Sequence, residues 1–310
     1  LSDRRLEVTS LAPLALLLAG CAPQHVMNPA TPSPSWGDFV AAWPLFKEAI
    51  LAGTIAGAVL GFLGVFILVR RMVFVTATLT QASGLGVALA FYVDIHLGLG
   101  LPPIAGALLT ALFASVLASL PYERLHLSRE SALATLWLLC SGGAVIVGSR
   151  IAQEAHDIAG ILFGSAVLVS PEDLTMVAAA GAVGLVVAFL GHEVLVFAGF
   201  DADAARVQGV PVRVMESGLL ALVTLEVAVA TRAIGALPVF AFSVLPAVAA
   251  LLVSPSMRGA FPIAGVFGAM AGLFGYMGAF FFDLPVGATQ TAVACFLVAA
   301  MIPVRLLLRR

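Results

Sequence analysis

The chain has 310 residues, 61% of them hydrophobic and 10% charged, with a mean hydropathy of +1.10 and a formal net charge of −2. Apolar runs of about 18 residues or more recur along it, which excludes a soluble globular enzyme and defines an all-α polytopic membrane protein. A charge balance this near neutrality has no nucleic-acid footprint, and the single Lys among the 15 basic residues is read as coding bias rather than as a partner's signature.

At the N-terminus, Arg4 and Arg5 precede a short apolar run, Leu11 to Ala19, followed by Gly20 and Cys21. The run is too short to span a bilayer. Leu18-Ala19-Gly20-Cys21 resembles a bacterial lipoprotein signal, which makes Cys21 a lipidation candidate. The competing reading is an upstream extension of the reading frame. Residues 1–21 are therefore expected to be a lipoprotein-like signal segment. Residues 22–45, with Pro23, Pro29, Pro32, Pro34 and Pro44, are expected to be a Pro-rich periplasmic linker, and 46–310 the transmembrane domain. Cys140 and Cys295 lie in apolar runs and are expected to be buried, unpaired hydrophobes.

From Glu48 onward the apolar runs predict spans at 48–69, 80–97, 102–120, 131–149, 174–196, 213–232, 234–253, 259–282 and 286–304, about nine crossings. The short run 158–169 is expected to be a re-entrant or interfacial helix. If the first span runs inward, one side receives Arg70, Arg71, Arg124, Arg129, Arg206, Arg213, Arg258, Arg305, Arg309 and Arg310. The other keeps only Lys47, Arg150 and Arg232. By the positive-inside rule the first side is cytoplasmic, placing the N-terminus in the periplasm and the C-terminus in the cytoplasm of a bacterial inner membrane. Gly53, Gly57 and Gly61, and later Gly268 and Gly272, recur at four-residue spacing, which favours close helix packing within the bundle over a dimer seam. Pro238 and Pro246 are expected to interrupt the run from Gly235 to Leu252.

The stretch from Phe200 to Arg213 is polar between two apolar runs. Centring Asp201, Asp203 or Arg206 in a bilayer would cost about 2.5–3.5 kcal/mol each, so the stretch lies outside the hydrocarbon, as a docking surface. With Lys47 the only lysine, no G-x-x-x-x-G-K-[ST] phosphate loop exists, and no zinc-protease or nucleophile-elbow motif appears. The chain is accordingly expected not to be an enzyme and to bind no cofactor itself.

Phe200-Asp201-x-x-x-Ala205-Arg206-x-x-Gly209-Val210-Pro211 resembles the F-D-P-x-x-A-x-x-x-G-V-P loop of the ABC-3 family of metal ABC transporter permeases. Three further segments are similar to that family in order. They are Arg70-Arg71-Met72; Phe163-Gly164-Ser165 to Ser170-Pro171-Glu172-Asp173-Leu174; and Arg232-Ala233-Ile234-Gly235-Ala236-Leu237 through Leu245-Pro246-Ala247 to Asp283-Leu284-Pro285-Val286-Gly287. The resemblance covers roughly residues 45–305. It implies an importer permease for zinc- or manganese-type ions. Its expected partners are a separate cytoplasmic ATPase carrying ATP and Mg, a periplasmic binding protein, and a second copy or paralogue of the permease. The loop would be the coupling helix, with Phe200, Asp201, Ala205, Arg206, Gly209 and Val210 as its residues. Asp201 would cap it and Gly209 would end it.

One departure bears on cargo. Where the family reads G-D-x-L-S-H-A, this chain has Ala77 and Gln81 in place of the carboxylate and imidazole. Gln81 and Thr78 offer neutral oxygens, poor ligands for zinc or manganese. Glu226, inside the sixth expected span at 213–232, is the strongest candidate for the substrate pathway, because an intramembrane carboxylate is a functional candidate by default. Asp94 and His96, near the outer end of the second span, are candidates for a cation-attracting mouth. A chelate or other solute on the same architecture, a secondary transporter and a non-transporting scaffold are the alternatives.

Overall fold

The protein is described here by a computed structural model covering residues 35–120, 122, 126, 128–151 and 169–308. Cys21, the signal segment, residues 22–34 of the linker and all but the last residue of 158–169 lie outside the described residues. Every regular element among the described residues is an α-helix. We number them α1 (Trp36–Val69), α2 (Val73–Leu97), α3 (Pro103–Ala118), α4 (Arg129–Arg150), α5 (Pro171–Leu190), α6 (His192–Phe200), α7 (Ala202–Val207), α8 (Val212–Ile234), α9 (Ala236–Val253), α10 (Met257–Phe282) and α11 (Val286–Leu308). Of these, α1, α2, α4, α5, α8, α9, α10 and α11 are long and apolar enough to cross a membrane, and α3 is a shorter apolar helix.

Side-chain register gives the helix directions. Gly53, Gly57 and Gly61 of α1 meet Gly272, Gly268 and Ala264 of α10, so the two run antiparallel. Between α2 and α3, Gly86 meets Gly106 and the Thr110 hydroxyl donates to the Ala82 carbonyl at 2.7 Å, again antiparallel. Between α2 and α4 the pairs Thr78–Leu133 and Leu85–Gly143 advance together, so those two are parallel. Short as it is, α3 must therefore carry the chain back across the bundle. Helices α5 and α8 are antiparallel through Asp173–Arg232 and Gly184–Glu226. Helix α8 starts beside Arg70, where α1 ends. It follows that Ile151 and Val169 lie at the same end of the bundle, the Trp36 end.

Several boundaries differ from the sequence reading, among them the start of α2, at Val73 rather than 80. Helix α1 begins at Trp36, inside the expected linker. Ser35 and Asp38 form a reciprocal capping box, with the Asp38 N–H donating to Ser35 Oγ at 3.3 Å and the Ser35 N–H to Asp38 Oδ2 at 2.7 Å. Pro44 is accommodated within the helix, and Trp36 and Phe39 pack on Phe280 and Phe281 of α10. The expected span 174–196 is two helices, broken at Gly191, which is both the C-cap of α5 and the N-cap of α6. Helix α9 is not interrupted. Pro238 falls in its first turn, where its missing N–H breaks no helical bond, and only Pro246 sits in the interior. Cys140 is buried as expected, but Cys295 is exposed on α11, and both are free.

The glycines set the contact between α1 and α10. In lipid, apolar surfaces gain little from meeting one another, so association rests on packing and hydrogen bonds. A Cβ on Gly57 would fall on the Gly268 carbonyl oxygen, and one on Gly268 on that of Gly57. The pattern read as bundle packing is thus an intramolecular seam. Gly57→Val is expected to destabilise the bundle by about 1–3 kcal/mol, read as a lower thermal midpoint in detergent. Gly142→Ala, whose new methyl meets open space, stays within about 0.5 kcal/mol of wild type.

Candidate coupling surface and intramembrane carboxylate

At the Arg70 end, α6, α7 and the start of α8 form a projecting unit. Asp201 is the N-cap of α7, its carboxylate accepting from the Ala204 N–H at 2.8 Å. The helix closes two turns later: the Gly209 N–H donates to Arg206 O and the Val210 N–H to Ala205 O, both at 3.0 Å. This is a Schellman ending, which needs a left-handed residue at Gly209, where φ is +81°. Buried Ala198, Ala205 and Val212 give the unit its own small core, with Phe197, Ala202 and Val210 packed around it. Facing away from that core are Phe200 (64% exposed), Val207 (89% exposed) and an ion pair, Arg206 to Asp203 at 2.8 Å. The surface offered to solvent is therefore two apolar side chains beside a fixed dipole of charge.

The same Schellman pattern ends α1, where the Arg71 N–H donates to Leu68 O and the Met72 N–H to Ile67 O. Arg71 occupies the left-handed position, φ +55°, and is exposed. Arg70 turns the other way. Its side chain is only 6% exposed, with Nη1 3.1 Å from Glu216 Oε1 on α8 and Nη2 donating to the Leu195 carbonyl of α6 at 3.5 Å. Burial pulls the guanidinium below its ordinary pKa while Glu216 acts to raise it. From that high starting value it remains charged at any physiological pH. A second ion pair, Arg232–Asp173 at 3.6 Å, joins the far end of α8 to the start of α5, where Asp173 also completes a capping box with Ser170.

Between these two pairs lies Glu226, 5% exposed, its Oε1 buried and without a hydrogen-bond partner. It faces α5 at Gly184, where any Cβ would strike the carboxylate. The other pathway candidates do not share its setting. Thr78 is buried with its hydroxyl 2.9 Å from the Phe74 carbonyl and 3.2 Å from the Leu133 carbonyl on α4, so it serves helix contact. Gln81 is half-buried one turn further along α2. Asp94 accepts from the Gly100 N–H at 3.0 Å and His96 stacks on Tyr92, both exposed about 20 Å along the helix from Gln81. Among the described residues no three His, Cys, Asp or Glu side chains gather as a metal-holding group. Sequence reasoning passed over Gln290, 1% exposed, whose amide donates to the Gly272 carbonyl at 3.2 Å and leaves Oε1 unpartnered. Its signal was a lone amide in an apolar run.

The family profile described as the ABC 3 transport family matches residues 42–304. The chain belongs to that family. Over 268 residues this ABC 3 chain is 26% identical to the manganese import system permease protein ScaB of Streptococcus parasanguinis, covering 86% of this chain and 93% of that protein. It is 25% identical over 265 residues to the chelated iron transport system membrane protein YfeD of Yersinia pestis, covering 84% and 86%. Among solved structures, PsaBC from Streptococcus pneumoniae in complex with Fab matches with a TM-score of 0.76 at 24% identity, over 86% of this chain and 95% of that one. A transporter described as an ABC transporter of the metal-chelate type, in an inward-facing conformation, matches with a TM-score of 0.69 at 18% identity, over 94% and 98%. These likenesses show the ABC 3 permease fold. The chain is a membrane permease of a transport family.

The cap geometry makes a direct prediction. Asp201→Ala leaves the Ala204 amide without its acceptor and costs local helix stability of about 1 kcal/mol, so amides of α7 exchange about fivefold faster; Asp201→Asn, which can still cap, changes little.

Proposed function

We propose that this chain is the permease subunit of an ATP-driven importer for divalent metal ions of the zinc or manganese type, with α7 as the helix that engages a separate cytoplasmic ATPase. The observation that carries the reading is the capped, outward-facing α7, held between α6 and α8 at the arginine-rich end of the bundle. By charge asymmetry the Arg70 end is cytoplasmic and the Trp36 end periplasmic, where a binding protein delivers cargo. A second permease copy or a paralogue completes the pathway. ATP and Mg are bound by the ATPase, and this chain holds no cofactor. Cys21 remains the candidate lipid anchor of the periplasmic N-terminus.

Support for metal cargo comes from the relatives' names and from Glu226. A carboxylate buried in the bundle without a partner is costly unless a proton or cation attends it. Helix α8, on which it sits, follows α7 directly, so a shift driven at α7 moves Glu226 against Gly184. A chelated metal is the second reading, favoured by Ala77 and Gln81: a cargo that keeps its own ligands does not need the family's carboxylate and imidazole.

The test is uptake of radiolabelled manganese and zinc by the complete complex in vesicles, with ATP inside or omitted. ATP-dependent uptake is expected, lowered about tenfold or more in Glu226→Gln with the complex still assembled. Uptake indifferent to ATP would sink the reading. Transport of a chelate, but of neither free ion, would select the second cargo.

A further inference from the structure

At the Arg70 end, α7 is joined to α8 through Gln208 to Pro211, a connection whose left-handed Gly209 has nothing packed within 4 Å of its Cβ position. Beside it, one buried side chain ties together the three elements around α7. Arg70 projects from the end of α1, reaches Glu216 in the first turns of α8 at 3.1 Å and the Leu195 carbonyl of α6 at 3.5 Å. Its stem runs beneath α6 at Gly199, where a Cβ would stand 3.4 Å from Nε and 3.0 Å from Val69 Cγ1. The other ion pair joining α6 to the bundle, Arg258–Glu193 at 3.4 Å, leaves both side chains 82% exposed, where water and salt screen it. Of the two arginines only Arg70 is withdrawn from solvent, and its planar fork presents Nη1 to a carboxylate and Nη2 to a carbonyl in a fixed geometry.

From this geometry we infer that Arg70 is a positioning residue for energy coupling: through Glu216 and the Leu195 carbonyl it makes α6 and the start of α8 move as one body with the end of α1, so that force received at α7 reaches the spans. The inference rests on the reading of α7 as the ATPase contact. It touches neither cargo nor nucleotide. Removing the brace should therefore leave assembly and hydrolysis in place and disconnect them from transport, which a residue needed only for folding would not do.

The experiment measures, in the complete complex in vesicles, manganese taken up per ATP hydrolysed, together with the amount of ATPase that copurifies with the permease. For Arg70→Met and Glu216→Gln the ratio is expected to fall about tenfold at wild-type stoichiometry. Glu216 is half-exposed, so Glu216→Gln tests the brace without opening a buried space. Arg70→Lys, keeping the charge but not the fork, should recover part of the ratio. A wild-type ratio in Glu216→Gln and Arg70→Met overturns this inference alone. So does a loss explained wholly by missing ATPase, which would make the contact structural. A wild-type complex without ATP-dependent uptake overturns the coupling reading and this inference with it.

Discussion

Backbone against backbone, α1 and α10 touch at Gly53, Gly57 and Gly61 on one side and Gly272, Gly268 and Ala264 on the other, and this contact sets the register of the whole bundle. Side chains that interdigitate can slip by a turn at modest cost. Carbonyl oxygens pressed into the hollows left by missing Cβ atoms cannot, because the next residue along would clash. With α1 and α10 locked, the end of α1 is delivered to a fixed height. Arg70 then meets α6 and α8, and Arg71 turns out to solvent in the left-handed ending of the helix. The small polar unit beneath the bundle thus inherits its placement from an apolar seam well inside the membrane.

Helix α8 is where that placement meets the candidate chemistry. It is tied near its start to Arg70 and near its finish to Asp173, and it carries a partnerless carboxylate in between. The two ties hold α8 at both ends, its start to α1 and α6 and its finish to α5, so that displacement of one end is carried to the other. Glu226 occupies the recess left by the missing Cβ of Gly184 on α5.

Much of this was legible in the residues. A bilayer demands about 20 apolar residues per crossing, so the spans declare themselves, and the polar interval from Phe200 to Arg213 stands out against them. The Asp201 cap and the Gly209 ending were readable because both are local: each depends on residues three to five positions away. What escaped was long-range. Arg70 and Glu216 are 146 residues apart, and a sequence names charge types without pairing them. The Ser35–Asp38 capping box was present in the letters but hidden by Pro44, which suggested a linker running on to residue 45 rather than ending at the cap. Thr78 was readable as a polar residue in a span, but its use in holding α4 depends on a carbonyl that no side-chain pattern reveals. Gln290 went unnoticed because an amide among glycines acquires meaning only when three helices bring those glycines around it.

Helix α1, at 34 residues, is about 51 Å long, and with a tilt of about 20° it still rises about 48 Å along the membrane normal. The hydrocarbon accounts for about 30 Å of that. Lys47 and Glu48 mark the level at which the surplus begins, and above them Trp36, Phe39 and Trp43 stiffen a stalk buttressed by Phe280 and Phe281. The rim at the Trp36 end is consequently uneven: α1 and the end of α10 rise together as one aromatic pillar through Trp36, Phe39, Phe280 and Phe281, while α2 ends and α3 begins elsewhere on the same rim.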